Sequence, residues 1–126
     1  MKFSMFVLLS AAVGIGAIGI GYVLAPQWVY GLYGIGIDSV NEANMVRAAY
    51  GGLFVSSALL FALGATNEEL TRSALIYLLV FMLGLAGGRM ISVLVDGVPS
   101  GLIILVQGGV LVYITLASLA LYRRRN

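Results

Sequence analysis

The chain consists of long apolar runs separated by short polar segments. Four stretches are predominantly apolar, at about 3–25, 40–63, 67–95 and 100–122. Each is long enough to cross a hydrocarbon layer of about 30 Å as a helix of about 20 residues. The alternating pattern of a barrel strand is absent, and an open sheet cannot satisfy its backbone in lipid. The pattern therefore predicts an all-α, four-helix transmembrane bundle.

Polar residues mark the ends of these predicted helices. Ser39 and Glu42 have the spacing of a capping box, and so have Thr66 and Glu69. Gly64 suits the end of the second helix, and residues 96–99, Asp-Gly-Val-Pro, predict a tight turn after the third.

The longest connection, residues 26–38, is rich in aromatic side chains. Its Trp28, Tyr30 and Tyr33, with Tyr22 at the end of the first span, are typical of the aromatic belt at a membrane interface. We therefore predict a short helix that lies on the membrane surface in this connection.

Basic residues are confined to one side of a four-span topology. Lys2, Arg72 and the three arginines at 123–125 fall on the same side, and the two connections on the other side have no lysine or arginine. Because basic loops stay in the cytoplasm, this asymmetry predicts that both termini are cytoplasmic.

Composition narrows the class of protein further. The 126 residues, normally one domain, are 61% hydrophobic and 10% charged, whereas a soluble domain has about 25% charged residues. Without cysteine or histidine, the chain lacks the ligands of thiolate metal sites and the usual haem ligand. A net charge of +2 is too small to suggest nucleic acid. We predict membrane lipids as partners, with no cofactor, metal or nucleic acid.

Polar residues recur at one depth in three of the spans. At a rise of about 1.5 Å per residue, Arg47, Arg89 and Gln107 lie about 12, 10 and 9 Å from the outer ends of their helices. Asn44 and Ser92 lie about one turn closer to the outside. This coincidence predicts a polar layer in the outer leaflet.

The two arginines of this layer differ in direction. Helical side chains lean toward the helix N-terminus, so Arg47 leans outward and can reach the surface, whereas Arg89 leans toward the bilayer centre and needs an internal partner. Asp96, at a helix C-terminus, should also need a cation. The candidate partners of Arg89 are Glu42, Asp96, Asn44 and Gln107. We expect Arg89 to close a network with Asp96, Glu42 and Arg47.

The segment "GIGAIG", residues 14–19, matches a dinucleotide-binding fingerprint in its letters. That motif requires a preceding strand in a βαβ unit, whereas these residues lie inside a predicted span. We interpret them as small residues that let helices approach closely.

Two segments carry a resemblance to a known family. "RAAYGGL" in the second span, and "GR" followed by "DGVPS" at the end of the third, resemble a bacterial family of small four-span proteins of unknown function. The resemblance is carried by Arg47, Gly51, Gly52, Gly88, Arg89, Asp96, Gly97 and Pro99. It implies a multi-pass protein of the bacterial inner membrane and no particular activity.

Three functions remain open. The polar layer could fix helix register in an accessory or structural protein with a larger membrane partner or a second copy. It could bind an anion, such as a lipid headgroup or a small carboxylate, since arginines and an amide suit that chemistry. A transporter or channel for a small solute or anion is the alternative form of this second function. An enzyme would use Glu42 and Asp96 as acid and base, but no nucleophile accompanies them, so no catalytic residue is predicted.

Overall fold

The computed structural model of the protein describes residues 2–125, which are almost entirely helical. Four helical stretches are long and apolar enough to cross a membrane: Lys2–Leu24, Val40–Thr66, Glu68–Asp96 and Gly101–Arg125. The predicted all-α fold with four membrane-length helices is therefore confirmed. In chain order the elements are α1 (Lys2–Leu24), α2 (Pro26–Leu32), α3 (Val40–Val46), a π-helical segment (Arg47–Gly52), α4 (Leu53–Thr66), α5 (Glu68–Asp96) and α6 (Gly101–Arg125).

The start of the second span has the predicted capping box. The Ser39 hydroxyl accepts from the Glu42 N–H at 3.1 Å and donates to the Glu42 carboxylate at 3.2 Å. This arrangement satisfies a backbone donor that has no partner within the helix and places a carboxylate near the positive end of the helix dipole.

The other predicted ends are only partly correct. Asn67, not Thr66, caps α5, and its side-chain oxygen accepts from the Glu69 N–H at 3.0 Å. Thr66 still belongs to α4, where its hydroxyl bonds back to the carbonyl of Ala62 at 3.1 Å. The turn after α5 begins as predicted at Gly97, whose φ of 104° lies in a region that L side chains rarely adopt.

The start of α1 and the end of α6 lie at the same end of the bundle. The Arg123 guanidinium carbon of α6 lies 4.6 Å from the centroid of the Phe3 ring of α1. The connection between α4 and α5 lies at this end as well, where a Cβ at Gly64 of α4 would lie 3.3 Å from Leu8 of α1. We call this the terminal end. The opposite loop end contains residues 25–39 and 97–100.

The core of the bundle lies toward the terminal end. Val7, Leu8, Phe61, Leu75 and Leu78 are all 0% exposed. Toward the loop end the packing loosens, since residues 87–96 of α5 and 101–109 of α6 include no buried residue. The bundle is therefore closed at one end and open within its other half.

Close contact between α1 and the second span depends on glycine. A Cβ at Gly19 would lie 2.9 Å from the backbone nitrogen of Val55, and one at Gly16 would lie 3.3 Å from the Cβ of Ala58. Gly64, predicted as the end of α4, lies inside that helix and faces Ala74 of α5. Small residues thus let these helix backbones approach closely, as is typical of membrane bundles.

Candidate ligand-binding site

A cavity of about 340 Å³ occupies the open half of the bundle. It lies between α1 and α6. Residues of α5 and of the second span also line it, and α2 lies at its loop end. Its volume falls within the range of about 300–1,000 Å³ that is usual for small-molecule sites.

Tyrosines line the loop end of this cavity. The rings of Tyr22, Tyr30 and Tyr50 form a triangle with centroid separations of 5.6 Å for Tyr22–Tyr30, 5.3 Å for Tyr22–Tyr50 and 6.1 Å for Tyr30–Tyr50. Tyr33 lines the same region. The cluster brings phenolic hydroxyls, which can donate hydrogen bonds, to one end of an otherwise apolar space.

Local backbone features bring these tyrosines together. Pro26 occupies the first turn of α2, where its missing N–H and fixed φ favour the start of a new helix over continuation of α1. The chain therefore turns, and α2 carries Tyr30 back toward Tyr22. Tyr50 lies in the π-helical segment, a type of helix distortion that is frequent at functional sites.

The tyrosine of α2 remains neutral at ordinary pH. Burial raises the pKa of the Tyr30 hydroxyl above its usual value, and the neighbouring Tyr50, which also forms a hydrogen bond with it, raises that pKa further. The phenol therefore keeps its proton and can act as a donor.

The deeper part of the cavity is mainly apolar, and the hydroxyl-bearing side chains of Ser10 and Tyr113 line its far end. Its walls come from one face of α1 and one face of α6, with Phe54 of α4 and two α5 side chains between them. These wall residues are Ala11, Gly14, Ile15 and Ile18 of α1, Ile103, Val106, Gly109 and Val110 of α6, and Met82 and Leu85 of α5. From Ser10 to Tyr22, the cavity follows α1 for about 18 Å at 1.5 Å per residue.

Arg89 is the charged residue of the cavity wall within residues 2–125. Its guanidinium donates to the side-chain oxygen of Gln107 at 3.4 Å, and the Gln107 amide donates to the carbonyl of Ala86 at 3.3 Å. Ala86 lies one turn toward the N-terminus of α5, so the side chain leans in the direction that helix geometry predicts. Gln107, one of the predicted candidates, therefore holds Arg89 at the level of the cavity.

The expected ion pairs of Arg89 are absent among residues 2–125. Asp96 lies two turns away, about 10 Å along the axis, and Arg89 leans in the opposite direction. The Asp96 carboxylate instead accepts from the Ser92 hydroxyl at 2.9 Å, and both residues are exposed. Glu42 is engaged in the cap with Ser39. The network of Arg89 with Asp96 and Glu42 was thus a wrong prediction.

Arg47 also takes no part in the contact between Arg89 and Gln107. Its guanidinium donates to the carbonyl of Val23 in the last turn of α1. A cation at a helix C-terminus is favourable because unsatisfied carbonyls concentrate negative charge there. Arg47 and Asn44 are both exposed. Of the residues in the predicted polar layer, Arg89 lines the cavity and Gln107 forms a hydrogen bond with Arg89. The cavity lining does not include Arg47, Glu42, Asn44, Ser92 or Asp96.

The expectation that Arg89 is a buried arginine is corrected as well. Arg89 is half-buried and Arg47 is exposed, and the buried polar residues within the described chain are Ser4, Ser57 and Thr71. A guanidinium that lines a cavity is more accessible than one enclosed in a network.

The tyrosines of the cavity were missed as site residues. The aromatic pattern predicts that Tyr22, Tyr30 and Tyr33 lie in an interfacial belt, yet Tyr22 is only 6% exposed. The sequence contained one signal, because Tyr22 shares a helical face with Ile15 and Ala11, which are buried. That face points into the bundle, so its tyrosine does too.

The fold and its cavity define a membrane-type helical protein with an arginine–tyrosine site in one half. A family model described as "Domain of unknown function (DUF4345)" matches residues 3–121. The chain belongs to this family, which confirms the predicted resemblance to a family of unknown function. No curated protein and no solved structure gives a significant match.

Proposed function

We propose that the protein binds a small anionic group at Arg89, within a bacterial inner membrane and with both termini in the cytoplasm. The observation that carries the proposal is a half-buried guanidinium that lines a cavity and has no carboxylate partner among the described residues.

The charge of Arg89 supports this function. On insertion scales an arginine at the centre of a transmembrane helix costs about 2.5–3.5 kcal/mol. Arg89 lies seven residues from the end of α5 and bears part of that cost, and arginines within such helices usually pair with another group. A guanidinium has five N–H donors, and within residues 2–125 one long hydrogen bond engages it. The remaining donors suit the fork geometry of a carboxylate or phosphate.

The surroundings of Arg89 favour an anion over a neutral solute. Tyr22, Tyr30, Tyr33 and Tyr50 line the same end of the cavity, and phenols can donate to an anion without adding charge. Most of the other wall residues are apolar, and low polarity strengthens charge-assisted hydrogen bonds.

The packing of the other half supports binding over transport. Below the cavity, Leu8, Phe61 and Leu78 are 0% exposed, so a route toward the terminal end would require a rearrangement of the core. A retained ligand needs no such route.

The test compares Arg89→Gln with Arg47→Gln, since both changes remove one cation at a similar depth. Each protein is purified in mild detergent and examined by native mass spectrometry, and its unfolding is measured. We expect Arg89→Gln to lose a bound anion and to fold normally, because no described carboxylate loses its partner. Arg47→Gln should keep the anion. If Arg89→Gln is unstable and neither wild type nor variant carries an anion, Arg89 serves helix packing and the proposal is wrong.

A further inference from the structure

We propose that the anionic group is the carboxylate of a single-chain amphiphile, whose hydrocarbon chain lies in the cavity between α1 and α6. This inference rests on the proposed anion site at Arg89 and specifies which ligand that site takes.

The shape of the cavity indicates a chain attached to the anionic group. A site for a free inorganic anion needs a few donors around one point, but this cavity continues for about 18 Å along α1. Beyond the tyrosine cluster its lining is mainly apolar, with side chains such as Ile15, Met82 and Val110, and Ser10 and Tyr113 lie at the far end. Water in such a space would find few partners, whereas an alkyl chain would fit it well.

The volume favours one chain. About 340 Å³ lies near the lower limit of ordinary ligand sites, about 300 Å³. A phospholipid with two chains and a headgroup would not fit within this space.

The number of charges favours a singly charged group such as a carboxylate over a phosphate monoester. Arg89 contributes the one cationic side chain among the described cavity residues, so it balances a single negative charge. A phosphate monoester carries a charge of about −1.5 to −2 at neutral pH and would leave negative charge unbalanced. A carboxylate carries one charge and accepts two N–H groups of a guanidinium side by side.

The wall between α1 and α6 provides an entrance from lipid. A Cβ at Gly14 of α1 or Gly109 of α6 would meet no atom within 4 Å, and both glycines line the cavity. Ile18, one turn from Gly14, is 42% exposed. An amphiphile in the leaflet could therefore insert its chain sideways while its carboxylate stays near the loop end.

The experiment uses a long-chain carboxylate brominated near the middle of its chain, because bromine quenches nearby tryptophan. Trp28, the one tryptophan of the chain, is replaced by phenylalanine, and a reporter is introduced as Tyr113→Trp at the deep end of the cavity. Leu105→Trp is the matched reporter, since Leu105 is 72% exposed and does not line the cavity. Both proteins are placed in nanodiscs of unbrominated lipid.

We expect saturable quenching of the Tyr113→Trp reporter that the unbrominated carboxylate reverses. The Leu105→Trp reporter should show only the weak, linear quenching of probe dissolved in lipid. Adding Arg89→Gln should weaken saturable binding by about 10- to 100-fold, as expected for loss of a charge-assisted hydrogen bond. Gly109→Leu should abolish it by filling the cavity, whereas Gly108→Leu should not, since Gly108 does not line the cavity.

Several outcomes contradict the inference separately from the proposed function. Equal, linear quenching of both reporters would show that no chain enters the cavity, while an anion lost in Arg89→Gln would leave the anion site standing. Saturable quenching that is unchanged by Arg89→Gln would show that the chain binds without the arginine and would refute this inference, while the mass-spectrometric comparison would still decide the anion site. Stronger displacement by a monoacyl phosphate than by the carboxylate would refute the charge argument.

Discussion

Replacing Gly19 by alanine tests the contact between α1 and the second span most directly. A Cβ at this position would lie 2.9 Å from a methyl carbon and from the backbone nitrogen of Val55, and 3.0 Å from the carbonyl oxygen of Gly51. Two of these atoms belong to backbone that cannot rotate away, so the helices must separate. Such overpacking typically costs about 1–3 kcal/mol.

Gly14→Ala is the matched control, because a Cβ at Gly14 of the same helix would meet no atom within 4 Å. Both changes gain up to about 1 kcal/mol of helix propensity, which cancels in the comparison. The difference in unfolding free energy between the two variants should therefore be about 1–3 kcal/mol, with Gly19→Ala the less stable.

Unfolding in mixed micelles of mild detergent and dodecyl sulfate, followed by circular dichroism, measures this difference. Thermal unfolding in detergent should place the two variants in the same order. Equal stability of Gly19→Ala and Gly14→Ala would refute the close approach of α1 to Val55.

Two further predictions concern the cap and the topology. Ser39→Ala removes the capping hydroxyl that accepts from the Glu42 N–H at 3.1 Å, so it should lower stability by about 1 kcal/mol in the same unfolding assay; the exposed neighbour Val40→Ala should have little effect. For topology, a membrane-impermeant thiol reagent should label Ser100→Cys but not Glu68→Cys in spheroplasts, since the chain has no other cysteine and the basic residues lie with Glu68. Labelling of Glu68→Cys alone would reverse the orientation, and labelling of both would contradict the crossing.

The helical architecture was predictable because a bilayer leaves few choices. A backbone in hydrocarbon must satisfy its own hydrogen bonds, so long apolar stretches predict helices. Polar residues then determined the ends, as the Ser39–Glu42 cap shows. Thr66 failed as a cap since the same short segment offers Asn67 one residue later, and spacing alone does not decide between adjacent candidates. The π-helical segment Arg47–Gly52 carries no clear pattern in the sequence.

The candidate site was less predictable because depth along a helix does not give direction around it. The predicted positions of Arg89, Ser92 and Asp96 on α5 are correct. Their hydrogen-bond partners depend on the direction in which each side chain leans and on which side chain of α6 lies opposite. Gln107 lies at the level of Arg89 and takes its hydrogen bond, while Ser92 satisfies Asp96 locally. The cavity itself arises from the separation of α1 and α6, which no single stretch of sequence specifies.

The two membrane arginines show how the same residue serves different purposes according to what surrounds it. Arg47 donates to a carbonyl in the last turn of α1, where the helix already concentrates negative charge, so its interaction is complete within the chain. Arg89 has an amide oxygen at 3.4 Å and faces a cavity with tyrosine hydroxyls at its end. An amide offsets less of the desolvation of a guanidinium than a carboxylate does. A bundle that needed only a structural contact would be served equally by a neutral side chain paired with Gln107. The cost of a charge at this position is therefore most simply offset by a ligand of opposite charge.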